Sequence, residues 1–169
     1  MLEAVARALA RPGEGEALWR RLDARVGAAA ARIPAAWKGR TAYIEVGSEP
    51  YAAGASSFLG ELVARLGLGN IVPASLGPFP RLNPEFVVRA RPDLVIGEDR
   101  EVASMAARPG WAALGALQRH AVCGFPPATW EALIRPGPRL ADAAEQVADC
   151  VAALPASAAA AAAPSSARP

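Results

Sequence analysis

The stretch YIEVGSEPYAAGASSFLGELVARLGLGNIV, residues 43–72, decides the fold. Thr41 to Val46 reads as a strand, short and without polar alternation, as expected when both faces of a sheet are covered. Gly47 to Gly54 reads as a loop. Ser56 or Ser57 then stands as the cap of a helix from about Phe58 to Leu66, whose Phe58, Leu59, Leu62, Val63 and Leu66 form one apolar face. Gly67 to Gly69 ends that helix, and Ile71-Val72 is at most a short strand. Strand, loop, helix and strand in this order describe a parallel crossover unit.

Downstream the same alternation continues. PASLGPFPRLNP (73–84) is a proline-rich loop, and Asn83 caps a short helix that has Pro84 at its first position and runs to about Ala90. Leu94-Val95-Ile96 is a short apolar strand. Helical segments follow at Glu101–Ala107 and Trp111–Gln118, and His120 to Gly124 is another strand. A helical turn at Trp130–Ile134 and an amphipathic helix from Leu140 to Leu154 close the pattern. Upstream, residues 1–11 read as a short helix broken by Pro12 and Gly13. A long helix from about Glu14 to Trp37 places Leu18, Leu22, Val26 and Ile33 near helical spacing, with Pro34 late in it. The expected class is α/β, a three-layer lobe with a mainly parallel sheet preceded by a long helix. Pro155 to Pro169, with six consecutive alanines at 158–163, is expected to be a disordered tail.

The 169 residues fit one domain, and a hydrophobic fraction of 53% is enough for a real core. A net charge of +2, carried almost wholly by scattered arginines, gives no case for nucleic acid. No apolar run approaches the roughly 18–20 residues that span a bilayer. The first residues have no basic region ahead of an apolar stretch and do not read as a signal peptide. Cys123 and Cys150 are too few for a disulfide-stapled scaffold and read as buried free thiols.

The catalytic inventory is thin. His120 is the single histidine, and it reads as a structural or surface residue. No nucleophile elbow, zinc spacing or dinucleotide-binding glycine motif is present. No enzyme activity, metal or cofactor is therefore expected. Two loops stand out instead: Gly47-Ser-Glu-Pro-Tyr51 and Gly77-Pro-Phe-Pro80. Each sets an aromatic among prolines at the carboxyl end of a strand, where open α/β sheets collect ligands. Stiff aromatics suit a large flat ligand because little side-chain entropy is lost on binding. The alternative from the residues alone is that Tyr51 and Phe79 plug the ends of the core.

Residues 43–72 together with GPFPRLNPEFVVRARPDLVIG (77–97), RPGWAALGAL (108–117) and LIRPGPRLADAAEQVADCVAAL (133–154) resemble, in order, the C-terminal lobe of ABC-transporter periplasmic substrate-binding proteins of the vitamin B12, haem and siderophore class. The resemblance covers about residues 40–154. It implies that 14–39 is the backbone helix joining two lobes and that 1–13 is the remnant of an N-terminal lobe otherwise absent. Tyr51 falls where that family places an aromatic facing the ligand. Phe79, followed by Pro80, falls where the family often has Trp; phenylalanine keeps a smaller stacking face and lacks the N–H donor. Glu85 falls on a lobe-tip glutamate that docks onto arginines of the membrane permease, although it also reads as a first-turn acid that suits the helix dipole. The resemblance implies a non-enzymatic, periplasmic binding lobe that presents cobalamin, haem or a ferric siderophore to an ABC importer. The competing expectation is an interaction or orphan α/β domain that carries no ligand.

Overall fold

The strand that opens the quoted stretch is the centre of the sheet. In the computed structural model, which describes residues 2–47, 50–135, 137 and 139–159, β1 (Thr41–Ile44) lies between β2 (Gly69–Asn70) and β3 (Leu94–Glu98), and β4 (Val122–Phe125) lies beyond β3. The order is β2-β1-β3-β4 and every pairing is parallel, with Tyr43 opposite Val95 and Ile96 opposite Cys123. Parallel strands need helical crossovers. These are supplied by α3 (Phe58–Arg65), α4 (Pro84–Ala90), α5 (Asp99–Ser104) and α6 (Gly115–Gln118), while α1 (Leu2–Ala8) and α2 (Glu14–Arg32) precede the sheet and α7 (Pro127–Leu133), α8 (Leu140–Ala153) and α9 (Ala156–Ala159) follow it. The α/β class and the parallel sheet flanked by helices agree with the expectation from sequence.

Local signals account for several boundaries. The Ser57 hydroxyl accepts from the Gly60 N–H at 3.0 Å and caps α3. The Asn83 side chain accepts from the Glu85 N–H at 2.9 Å, with Pro84 opening α4. Gly67 takes φ +85°, a left-handed conformation that glycine adopts freely, and stops the chain after α3. Other boundaries moved. The long helix ends at Arg32 rather than Trp37, because Ile33 precedes a proline and is extended (ψ 119°); Ala35–Trp37 is a separate 3₁₀ turn. The second strand is Gly69–Asn70, not Ile71-Val72. The fourth begins at Val122, because His120 has φ +54° and turns the chain before it.

Two expectations are corrected. Cys123 and Cys150 are not free thiols: they form a disulfide with Cα atoms 5.8 Å apart. The crossing of α8 over β4 brings together residues that a sequence separation of 27 does not connect. The tail is not structureless from Pro155, since Ala156–Ala159 is helical, Ala158 and Ala159 are buried, and Arg119 donates to the Ala158 carbonyl at 3.0 Å. The rest of the expected tail, 160–169, lies outside the described residues.

Alanine abundance has a structural use. α2 packs on α8 through Leu22, Val26 and Ala29 against a face rich in buried alanine, including Ala141, Ala144 and Ala148. Small side chains let the two backbones approach closely. Arg25 donates to Asp142 at 2.6 Å and to Glu145 at 2.7 and 2.9 Å along the rim of that contact. The guanidinium holds the Glu145 carboxyl below its usual range. The pair is exposed, so it fixes register more than it stabilises.

Two outcomes are expected. Reduction of Cys123–Cys150, or the Cys150→Ser variant, lowers unfolding free energy by about 2–4 kcal/mol in urea titrations, the range for a loop of this size. Gly60 lies so close to the Gly54 carbonyl that an added Cβ would collide with backbone. Gly60→Ala therefore costs about 1–3 kcal/mol by the same measurement, against the usual gain of alanine within a helix.

Candidate functional site

The two aromatic loops are joined by backbone hydrogen bonds at the carboxyl end of β1. After Ile44 the chain turns back on itself: Ala53 donates to the Ile44 carbonyl at 2.9 Å and Val46 donates to the Tyr51 carbonyl at 2.8 Å. Gly47, at φ +100°, supports that reversal; Ser48 and Glu49 lie outside the described residues. On its other side the same segment pairs with the proline-rich loop. Ala52 donates to the Pro80 carbonyl, Gly54 to that of Pro78, and Leu82 to that of Pro50, at 2.9–3.0 Å, and Tyr51 bridges Arg81 in antiparallel register. A Cβ on Gly54 would sit 2.5 Å from the Gly77 carbonyl oxygen, so only glycine permits this approach.

Tyr51 and Phe79 are 42% and 45% exposed; of the exposed aromatics, these two lie on the adjoining segments at the carboxyl end of β1, whereas Trp19 lies on α2. They do not plug the core. Phe79 rests against Phe58 at the start of α3, with ring centroids 6.3 Å apart, and so presents only part of its surface. Pro80 is half-buried and spends its carbonyl on Ala52. Glu85 is exposed in the first turn of α4. The structure thus brings Tyr51, Phe79 and Pro80 onto two adjoining segments, with Glu85 on the helix that follows them.

Just past the end of β1, paired with Ala52, lies a group that sequence reasoning missed. Glu45 is 1% exposed. Arg108 meets it with a two-pronged contact, Nη1 to Oε2 at 2.6 Å and Nη2 to Oε1 at 2.7 Å, and the Tyr43 hydroxyl donates to Oε2 at 2.7 Å. The Arg108 guanidinium stacks over the Trp111 ring at 4.7 Å, and Trp111 meets Tyr43 edge-on at 5.7 Å. Burial, and then the neighbouring Glu45 charge, pushes the Tyr43 hydroxyl well up, so it stays a neutral donor. Hydrogen bonding to Glu45 raises Arg108 despite its partial desolvation. The available signal was an acid inside the apolar run Tyr43-Ile-Glu-Val46, two residues after Tyr43 and hence on the same face of the strand.

Elsewhere the chemistry is sparse. Among the described residues no group of three or more His, Cys, Asp or Glu could hold a metal, and no helix is long and apolar enough to cross a membrane. His120 is exposed in the turn ahead of β4, at the opposite end of the strands. That end also carries a groove of about 1480 Å³ lined by Lys38, Arg40, Arg89, Arg91 and Arg119 with Asp93. The groove has no aromatic lining and lies at the amino ends of β1 and β3, away from the edge where such sheets bind ligands. The Tyr51–Phe79 edge, with its exposed rings, is therefore the better candidate.

The model of the family described as periplasmic binding protein matches residues 1–129. No curated protein matches the sequence. Among solved structures, a possible iron-binding (periplasmic solute-binding) protein from Staphylococcus epidermidis superposes with a TM-score of 0.76 at 18% identity, covering 89% of this chain and 59% of that one. The periplasmic haem-binding protein of Roseiflexus sp. RS-1 gives 0.71 at 22%, covering 94% and 61%. The periplasmic vitamin B12-binding protein of Vibrio cholerae gives 0.70 at 22%, covering 89% and 58%. This chain thus spans about three-fifths of the length of these relatives, and the likeness at such identities is one of fold. A match over residues 1–129 of 169, together with the parallel sheet they share, places the chain in a family: it belongs to the periplasmic binding proteins.

Proposed function

We propose that this chain serves as the C-terminal lobe of the substrate-binding component of an ABC importer, taking up a metal chelate such as cobalamin, haem or a ferric siderophore without covalent chemistry. In this reading 40–154 is the binding lobe, 14–39 is the backbone helix between lobes, and 1–13 belongs to the N-terminal lobe. The observation that carries it is the pair of exposed aromatics, Tyr51 and Phe79, on adjoining segments at the carboxyl end of the sheet. Flat macrocycles and chelates present apolar faces that such rings cover. The backbone bonds and Pro50, Pro78 and Pro80 fix the segments beforehand, so little ordering is left for binding to supply.

Family membership and the relatives that bind haem and vitamin B12 support the ligand class. The Cys123–Cys150 disulfide supports a periplasmic location, since such bonds persist in oxidising compartments. Glu85, exposed at the tip of α4, suits docking onto permease arginines through charge-assisted contacts.

Titration of the chain with haemin, cobinamide, cyanocobalamin and a ferric hydroxamate tests the ligand class by absorbance. At least one is expected to bind below millimolar. Tyr51→Ala and Phe79→Ala are each expected to weaken it about 3- to 10-fold, the equivalent of one stacking contact, while Trp19→Ala on α2 leaves it unchanged. Binding by none of the four, or indifference to both loop variants, rejects the assignment. Capture of the chain by the cognate permease, in detergent, is expected to fall at least tenfold in Glu85→Ala. Retained capture removes the docking role, and capture without any chelate binding favours the ligand-free interaction domain.

A further inference from the structure

Glu45 has no direct access to solvent, and it lies beside the segment that carries Tyr51. Its N–H donates to the Ile96 carbonyl of β3 at 2.9 Å, and the residue bridges Ala52 in antiparallel register. Its side chain reaches the opposite way, to Arg108 and Tyr43. Gly97 of β3 lies alongside it, and a Cβ there would press on the Val102 methyl at 3.1 Å. Arg108 in turn belongs to the segment that follows α5 and lies within 3.6 Å of Glu101. One residue therefore ties three things together: the end of β1, the reversal leading to Tyr51, and the segment 105–111.

We infer that the Glu45–Arg108 pair is a positioning device for the ligand-facing segment 51–54, setting how firmly Tyr51 is presented. The inference rests on the proposed ligand edge for its functional meaning, and on geometry alone for its mechanical content. A buried pair is a poor source of net stability: apolar residues of similar volume often replace it without loss. Its particular property is direction. The fork of Arg108 accepts one orientation of the carboxylate, and that orientation fixes the backbone at residue 45, from which Val46 and Ile44 hold Tyr51 and Ala53. Nothing apolar reproduces that constraint.

The double variant Glu45→Met/Arg108→Met separates the two roles. It is expected to melt within about 5 °C of the native chain, yet to exchange the amide protons of Ala52, Ala53 and Gly54 at least tenfold faster, with those of Val147 and Val151 in α8 unchanged. Whichever of haemin, cobinamide, cyanocobalamin or the ferric hydroxamate binds the native chain should bind the variant at least tenfold more weakly. A folded double variant with native exchange and native affinity overturns the inference. If the double variant does not fold, Arg108→Lys keeps the charge without the fork; exchange at 52–54 should still rise several-fold, and unchanged exchange overturns the inference. If the native chain binds no chelate, the ligand reading fails by itself, and the exchange measurement still decides the positioning role.

Discussion

A carboxylate buried just past the end of β1 has to be matched, and the match ties that strand to the 105–111 segment. Removing Glu45 from water costs several kcal/mol. Two charge-assisted bonds from Arg108 and one from Tyr43 offset that cost, because in a low-dielectric surrounding short directed contacts are strong. Those contacts cannot be made unless Arg108 arrives from the segment after α5 at the correct height, and Trp111 supplies the ring on which its guanidinium lies. Among the described residues the buried Trp111 indole N–H meets no acceptor, and the ring packs edge-on against Tyr43 and under Arg108. Charge, phenol, guanidinium and indole thus form one unit spanning β1 and the 105–111 segment.

The two ends of the strands differ in chemistry for reasons that lie in the connections. At the amino end, chain entry and exit bring Lys38, Arg40, Arg91 and Arg119 around Asp93, whose carboxylate accepts from the Thr41 N–H and hydroxyl at 2.9 and 3.1 Å. Much of that positive charge is spent on the frame: Lys38 donates to the carbonyls of Ala30 and Leu66, closing the turn into β1. At the carboxyl end, the reversal after β1 and the proline-rich loop leave aromatic rings facing outward. Structural cations at one end and exposed rings at the other match the general placement of ligand sites on parallel sheets.

What could be read from the sequence was local. Ser57, Asn83 with Pro84, and Gly67 act on neighbours within a few residues, so their roles as caps and stops were visible in the letters alone. The two aromatics were legible as candidates but their exposure was not, because the same letters allowed either ring to plug the end of the core. Nonlocal matches were not legible. Nothing near Glu45 names Arg108, 63 residues away, as its partner, and the alternative of a surface acid on a short strand fits the same letters. The cysteine pairing was hidden likewise, since it depends on where α8 crosses β4. Phe79 looked like a free stacking face until the fold set Phe58 beside it.

Identity and placement of the site residues therefore come from different scales. The residue types at the edge are chosen by their own loops, but the angle at which they stand is decided below them. Gly54 and Gly60 illustrate the dependence: neither can contact a ligand through a side chain, yet Gly54 lets the proline loop lie along residues 50–54, and Gly60 lets the start of α3 pack against the Gly54 carbonyl. Glu45 lies on the other side of the same segment, beside Ala52. The Tyr51 segment is thus hydrogen-bonded on both sides, to the end of β1 and to the proline loop. Under the proposed function, a wall held in this way favours ligands that are rigid too, because shape agreement costs nothing in ordering only when neither partner has to bend.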